Sequence, residues 1–383
     1  MGLDLERPAS PIDRWALDPS IVHLNHGSYG GCPRSVIDAA SAFRTRLEAA
    51  PMRFFVLEWQ AELDRARSAV AAFIGADPAR TVFVPSATSG VAIALHAADL
   101  AAGDEIVTTS HVYPACRYQL TRLAEARAVR LVIAETPLPF DADALVDRVT
   151  AAITPRTRLA LLDHITSATA LLYPIERLIA PFAARGIPVI VDGAHAPGQV
   201  PLDVTALGAT WYVGNHHKWL CGPKASAFLV SAVGARPLVT SHGANPLHGP
   251  ANRLHAELDW SGTYDPSSQL AVPAAIAAVG AEGGGWPAIY ARNHALALAL
   301  RDRLGRGIAP DEAIGTMAVV PITLPDGVTP TALERRLLVD GWEVPIVDFP
   351  GQTFARVSAH LYNHSGEADA LARKLRAEHV TIS

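Results

Sequence analysis

Two short apolar runs in this chain end in groups that do chemistry. Pro188 to Val191 leads into Asp192 and then His195, and Thr210 to Val213 leads into Asn215, His216, His217 and Lys218. A buried parallel strand hands polar groups to the edge of a sheet in this way. A carboxylate at one strand end and a lysine just past the next are the pair that a pyridoxal phosphate site needs. The lysine forms a Schiff base with the aldehyde. The carboxylate keeps the pyridine nitrogen protonated, so that the ring accepts electrons from a substrate carbanion. Lys218 sits among Trp219, Leu220 and Cys221, apolar surroundings that lower an ammonium pKa and favour imine chemistry. Lys224 is its close rival.

Further groups stand where they could serve such a site. The stretch His23 to Pro33 is rich in glycine, which lets backbone approach a ligand closely, although an ordinary turn uses the same residues. Thr81 to Pro85 reads as a strand, and Ser86-Ala-Thr-Ser-Gly90 opens a helix to about Leu100. The free donors of that helix start make a phosphate seat to which Thr88 and Ser89 can add hydroxyls; a plain N-cap is the competing reading. Arg53 is a candidate carboxylate clamp or a solvated arginine at a helix start. The pair His216-His217 suggests a metal, but no third ligand stands at a recognisable spacing and none is expected.

The elements that must position these groups alternate. Helices are expected from Pro33 to Ala49 and from about Val56 to Ile74. Strands follow at Glu105 to Thr109, Val129 to Ala134 and Arg158 to Leu162, with helices at about Asp141 to Ala152 and Ile175 to Ala184. Such alternation predicts an open α/β layer with a mostly parallel sheet. Ala235 to Asn252 reads as a loop crossing toward a subunit interface. Helices near Ser267 to Val279 and Trp286 to Leu304 come next. The last part, from about Ile314, suggests a small α+β domain: strand Met317 to Ile322, helix Pro330 to Asp340, strand Trp342 to Val347, strand Phe354 to Ser358 and a terminal helix.

Composition sets looser bounds. With 383 residues, half of them hydrophobic, the chain can fill one large and one smaller core. A charged fraction of 18% and a net charge of -5 leave no basic footprint for nucleic acid and no polybasic membrane patch. Cys32, Cys116 and Cys221 are widely spaced and odd in number, which argues against a disulfide framework and for a reducing cytoplasm. The N-terminus lacks the apolar core of a signal peptide, and no run reaches the roughly 20 apolar residues of a spanning helix.

The motifs VDGAHAPG, residues 191–198, and GNHHKWLCGPK, residues 214–224, resemble those of class V, fold type I pyridoxal phosphate enzymes, and within them the isopenicillin N epimerase-like branch. The resemblance runs from His23 to about Asn363. It implies an N-terminal arm (1–20), a large cofactor-binding α/β domain (21–255) built on a mostly parallel seven-stranded sheet, and a small C-terminal α+β domain (256–383). By the same resemblance Asn25 lies near the substrate carboxylate, and His111 stacks on the pyridine ring. Tyr113 is a second candidate for stacking, or an acid near the leaving group. His164, Thr166 and Ser167 face the cofactor's edge, His195 meets its ring hydroxyl, and His217 reaches its phosphate with Asn215 nearby. Thr263, in Leu258 to Asp265, matches an element that a neighbouring subunit sends into the phosphate site, which implies a homodimer. Arg356 matches the small-domain arginine that grips the substrate's α-carboxylate. One departure matters: cysteine desulfurases of this class carry a nucleophilic cysteine upstream of that arginine, and Val347 to Thr353 contains none.

The expected chemistry is at the α-carbon of an amino acid or cysteine S-conjugate, with Lys218 as the base. Loss of a sulfur leaving group from the β-carbon gives pyruvate, ammonia and a thiol; return of the proton on the other face gives an epimer. An aminotransferase or an oxygen-dependent decarboxylating deaminase would use the same residues. A noncatalytic binding protein would be expected to lack Asp192 or Lys218, and both are present.

Overall fold

The computed structural model describes residues 3–239 and 253–383. The first strand is Val22–His23 (β1). Seven strands then build the main sheet: Thr81–Val84 (β2), Glu105–Thr109 (β3), Arg130–Ala134 (β4), Thr157–Asp163 (β5), Val189–Asp192 (β6), Trp211–Asn215 (β7) and Ala227–Ser231 (β8). Their order is β2-β8-β7-β6-β5-β3-β4, and β8 alone runs against its neighbours. The mostly parallel seven-stranded sheet is therefore as expected. Every residue of β2, β3, β6, β7 and β8 is buried, which explains their near-continuous apolar sequences.

Side-chain parity decides where the chemistry goes. Along β5, Ala160 and Leu162 enter one core while Leu159 and Leu161 enter the other; Ile190 of β6 and Val213 of β7 join that second core. A period of two then sends Asp163, Asp192 and Asn215 to that same face, beside the helix Ala87–Ala97, whose Val91 and Ala94 fill it. Ser86 caps this helix by accepting from the Ser89 N–H at 3.1 Å.

The C-terminal part forms a second sheet from Met317–Thr323 (β9), Ile346–Phe349, Gln352–Ser358 and Thr381–Ile382. With Trp342–Glu343 as β10, these last three become β11, β12 and β13, and the sheet order is β11-β12-β9-β13, antiparallel throughout. Leu296, Leu300, Leu333, Leu337, Leu371 and Leu375 from the helices Trp286–Leu304, Pro330–Val339 and Gly366–Ala377 pack on it.

Some elements differ from expectation. The strand expected over Trp342 to Val347 is two strands: β10 pairs in parallel with β1, and Pro345, which has no N–H to give a ladder, separates it from β11. The helix expected from Val56 begins earlier, at Pro51, and passes through a π turn at Phe54–Glu58 before Trp59–Ile74. Pro114–Arg127 is a helix that the sequence did not announce, with proline at its favoured first position. A domain boundary after residue 255 falls inside the helix Arg253–Leu258, whose Leu254 and Leu258 pack on the large sheet's core. Of the loop expected over Ala235 to Asn252, residues 240–252 lie outside the described residues. The arm is held by Trp15, which is 1% exposed and packs with Ile289, Leu361 and Tyr362.

A buried ion pair anchors the turn that carries Thr263. Arg67 donates to Asp259 Oδ2 at 2.6 Å, to Asp259 Oδ1 at 3.1 Å and to the Thr81 carbonyl at 2.7 Å. Both side chains are almost fully buried. Asp259→Ala would leave the buried guanidinium only the Thr81 carbonyl and the half-exposed Asp64, 3.3 Å away, so urea unfolding is expected to register a loss of about 3 kcal/mol.

Candidate active site

At the carboxyl ends of β5, β6 and β7 lies a pocket of about 170 Å3. Its lining includes Ser28, Tyr29, Ser86, Thr88, Tyr113, Asp163, Ser167, Asp192, His195, Asn215, His217 and Lys218. Wider clefts of about 900 and 750 Å3 around Phe140 carry no lysine. Chemistry, not size, singles out the smaller one.

Lys218 follows the end of β7, and its Nζ lies 2.9 Å from His195 Nε2. Burial pushes its pKa down to about 7, Arg356 adds to the effect, and Asp192 opposes it. A large part of the amine is therefore neutral at physiological pH, as imine formation and base catalysis require. Burial, with the charge of Lys218, holds His195 well below the usual imidazole range, so it is neutral. The loop is fixed by a close approach: Gly30 has φ +68°, and a Cβ there would lie 2.2 Å from the His217 carbonyl.

Asp192 ends β6. Its Oδ1 accepts from the Ala194 N–H at 3.0 Å, and its Oδ2 accepts from the Cys116 thiol at 3.4 Å. Asn215 Oδ1 accepts from the Ala87 N–H at 2.9 Å, which ties the end of β7 to the helix start that Ser86 and Thr88 line. Burial pushes His217 down to about 4, leaving a neutral ring. Two residues of the lining keep a buried polar atom with no partner among the described residues: His195 Nδ1 and Asp163 Oδ2. Buried orphans of this kind fit a polar ligand that is to be held there. A pyridoxal phosphate fits this donor set: Lys218 for the aldehyde, Asp192 for the ring nitrogen, and a helix N-terminus with Thr88, Asn215 and His217 for the phosphate.

Arg356, on β12, is 5% exposed. It donates to Ser28 Oγ at 2.7 Å, to Asn25 Oδ1 at 3.2 Å and to the Ser167 carbonyl, while its Nε keeps no partner. Burial lowers its pKa to about 10, so it remains a cation. Asn25 thus aims the arginine, and Ser28 and Ser167 link it to the pocket wall.

Other expected residues lie differently. Arg53 is not brought to the pocket of its own protomer: its side chain is 73% exposed and pairs with Glu58 at 3.2 Å. Ser89 faces its cap partner Ser86 at 3.1 Å and lines a neighbouring pocket instead. Thr166 is buried behind the wall, 2.9 Å from Thr169 Oγ1, and His164 is bonded to the Tyr212 hydroxyl at 2.9 Å. His111 Nδ1 lies 2.8 Å from Thr169 Oγ1, with its ring edge-on to Phe349, while Tyr113 lines the pocket. Thr263 is exposed in the single protomer.

Ser28, Tyr29, Cys116 and Asp163 were not singled out beforehand. Asp163 could have been: it ends β5 in register with Asp192, the position where parallel strands present functional groups. Cys221, His26 and His360 also converge, with Sγ 3.7 and 3.5 Å from the two Nε2 atoms. The imidazoles are stacked 4.0 Å apart at 10°, so their in-plane lone pairs run parallel and do not meet at one ion. His26 Nδ1 accepts from the Gly31 N–H, and its Nε2 donates to the Lys218 carbonyl at 3.0 Å. The cluster holds the lysine's backbone.

With this geometry, the sequence profile described as aminotransferase class-V matches residues 30–231. The chain belongs to that family. Within it, isopenicillin N epimerase from Streptomyces clavuligerus is 35% identical over 95% of this chain and 96% of the relative. An L-cysteine desulfhydrase from Arabidopsis thaliana is 31% identical over 78% of this chain and 70% of the relative. Among solved structures, the cystine C-S lyase C-DES in complex with its product cysteine persulfide superposes with a TM-score of 0.81 at 19% identity, covering 93% of this chain and 97% of that one. The class-V chain thus has the fold type I architecture of pyridoxal phosphate enzymes. No described helix is long and apolar enough to cross a membrane.

Proposed function

We propose that this class-V protein is a pyridoxal phosphate-dependent lyase that removes the α-proton of L-cysteine or a cysteine S-conjugate and expels sulfur from the β-carbon. The bound cofactor supplies the electron sink; the rest is the work of this chain's residues. Arg356, aimed by Asn25 and Ser28, takes the α-carboxylate. Lys218, its amine poised near pH 7, takes the α-proton. Tyr113, whose pKa burial raises, stays a neutral phenol able to donate to the departing sulfur.

The observation that carries the sulfur chemistry this far, and no further, is the absence of a reactive thiol. β11 and β12 join in a tight hairpin with Phe349 opposite Gln352, in the segment where desulfurases are expected to hold their nucleophile. Cys32, Cys116 and Cys221 are all free and buried, and burial raises each thiol's pKa. Sulfur is then released rather than passed to the protein. Kinship with desulfhydrases supports this reading. Kinship along the whole chain with isopenicillin N epimerase supports the second one, epimerisation at the α-carbon.

Incubating the reconstituted enzyme with L-cysteine, cystine and S-alkyl cysteines in deuterium oxide separates the two. Pyruvate and ammonia formed in equal amounts support the lyase. Deuterium entering the α-position with inversion and no pyruvate supports the epimerase, and neither outcome with any substrate contradicts both.

The working unit proposed is a cytoplasmic homodimer, in which Thr263 enters the partner's phosphate site. Exposed Met52, Val56 and Leu57 form an apolar stretch suited to burial against a second copy. Heterodimers that combine one Lys218→Ala subunit with one Thr263→Ala subunit test the arrangement. A threonine supplied in trans leaves one intact site per dimer, so half the wild-type cofactor is retained tightly; a threonine supplied in cis leaves none.

A further inference from the structure

β5 and β6 run in register, so Asp163 stands directly beside Asp192. Both line the pocket, at 2% and 4% exposure, and neither forms an ion pair among the described residues. Two buried carboxylates on paired positions of adjacent strands repel each other, which favours a proton on one of them. Their donors decide which. Asp192 accepts from the Ala194 N–H and the Cys116 thiol, and the positive charge of Lys218 favours its anion. Asp163 has less to favour its anion, chiefly the nearby Tyr113 backbone, and its Oδ2 has no partner among the described residues.

We infer that Asp163 is a protonated positioning residue, whose carboxyl O–H is the unused donor that helps to hold the cofactor while Asp192 carries the pair's single negative charge. This deepens the pyridoxal phosphate reading and rests on it. Burial, then the neighbouring Asp192, raises the Asp163 pKa well above the carboxylate range, in the same direction. A neutral acid here would add a hydrogen bond without adding a second negative charge to the pocket. Asp192 thus remains the sole anion for the ring nitrogen, and Asp163 needs only its hydrogen to be of use.

Infrared difference spectroscopy between wild-type apoprotein and Asp163→Asn at pH 7 reads the proton directly. The wild type is expected to show a protonated-carboxyl stretch that the variant lacks; no such band, or a band that survives the substitution, overturns the inference. Cofactor binding then tests the donor. Asp163→Ala is expected to weaken pyridoxal phosphate affinity about tenfold, the worth of one hydrogen bond, and Asp163→Asn, whose amide can donate, to restore most of it. An asparagine variant as weak as the alanine variant would make the role ionic and defeat the proposal. Because the band is read on apoprotein, a wild type that binds no pyridoxal phosphate sinks the cofactor reading without being mistaken for a failure at Asp163.

Discussion

Lys218→Ala is expected to lower turnover by about 10^4-fold, the upper end of what one proton-transfer group contributes. Two roles rest on this amine: it must attack an aldehyde and it must take the α-proton. Both need it neutral, and the pocket makes it so. Burial holds its pKa at about 7, against an ordinary value of 10.5. The sign follows from the direction. Below pH 7 the amine is protonated and inert; the rate at which apoprotein captures the cofactor should climb about tenfold from pH 6 to pH 8 and level off. An exposed lysine would keep gaining through pH 9. Lys224, 2.9 Å from the Gly30 carbonyl, does not line the pocket, and its alanine variant should keep the wild-type profile.

Arg356→Lys is expected to cut kcat/KM by about 10^2-fold, mostly through KM. A lysine keeps the charge and loses the fork. The guanidinium spreads its donors over Ser28, Asn25 and Ser167, and a point ammonium cannot satisfy these and a substrate carboxylate together. About 3 kcal/mol is a typical loss when a buried, hydrogen-bonded charge loses its match, and each 1.36 kcal/mol is a factor of ten. Steady-state kinetics with an amino acid and with its decarboxylated amine would separate the effect. The amine, having no carboxylate, should react equally poorly with both enzymes.

Much of this was legible in the sequence because it is local. Asp192 and Lys218 each follow an apolar strand at close range, and strand ends in a parallel sheet are where ligands bind. Arg356 was legible by resemblance; its setting was not, since Asn25 and Ser28 meet it across more than 300 residues of chain. The Asp163 and Asp192 pair needed the register of β5 on β6, which periodicity does not fix. Arg53, a candidate clamp, does not line the pocket of its own protomer, and nothing in its sequence neighbourhood tells which face of the helix it takes. In the fold it pairs with Glu58, five residues on. The split of β10 from β11 was visible as Pro345, had its missing N–H been weighed against the apolar run around it.

The central claim is that Lys218 is the residue that bears the cofactor. Borohydride reduction of pyridoxal phosphate-reconstituted protein, digestion and mass spectrometry test it most directly. The predicted result is one phosphopyridoxyl group per chain, on the peptide that contains Lys218. A label on Lys224 or another lysine, or no stoichiometric label at all, would contradict it.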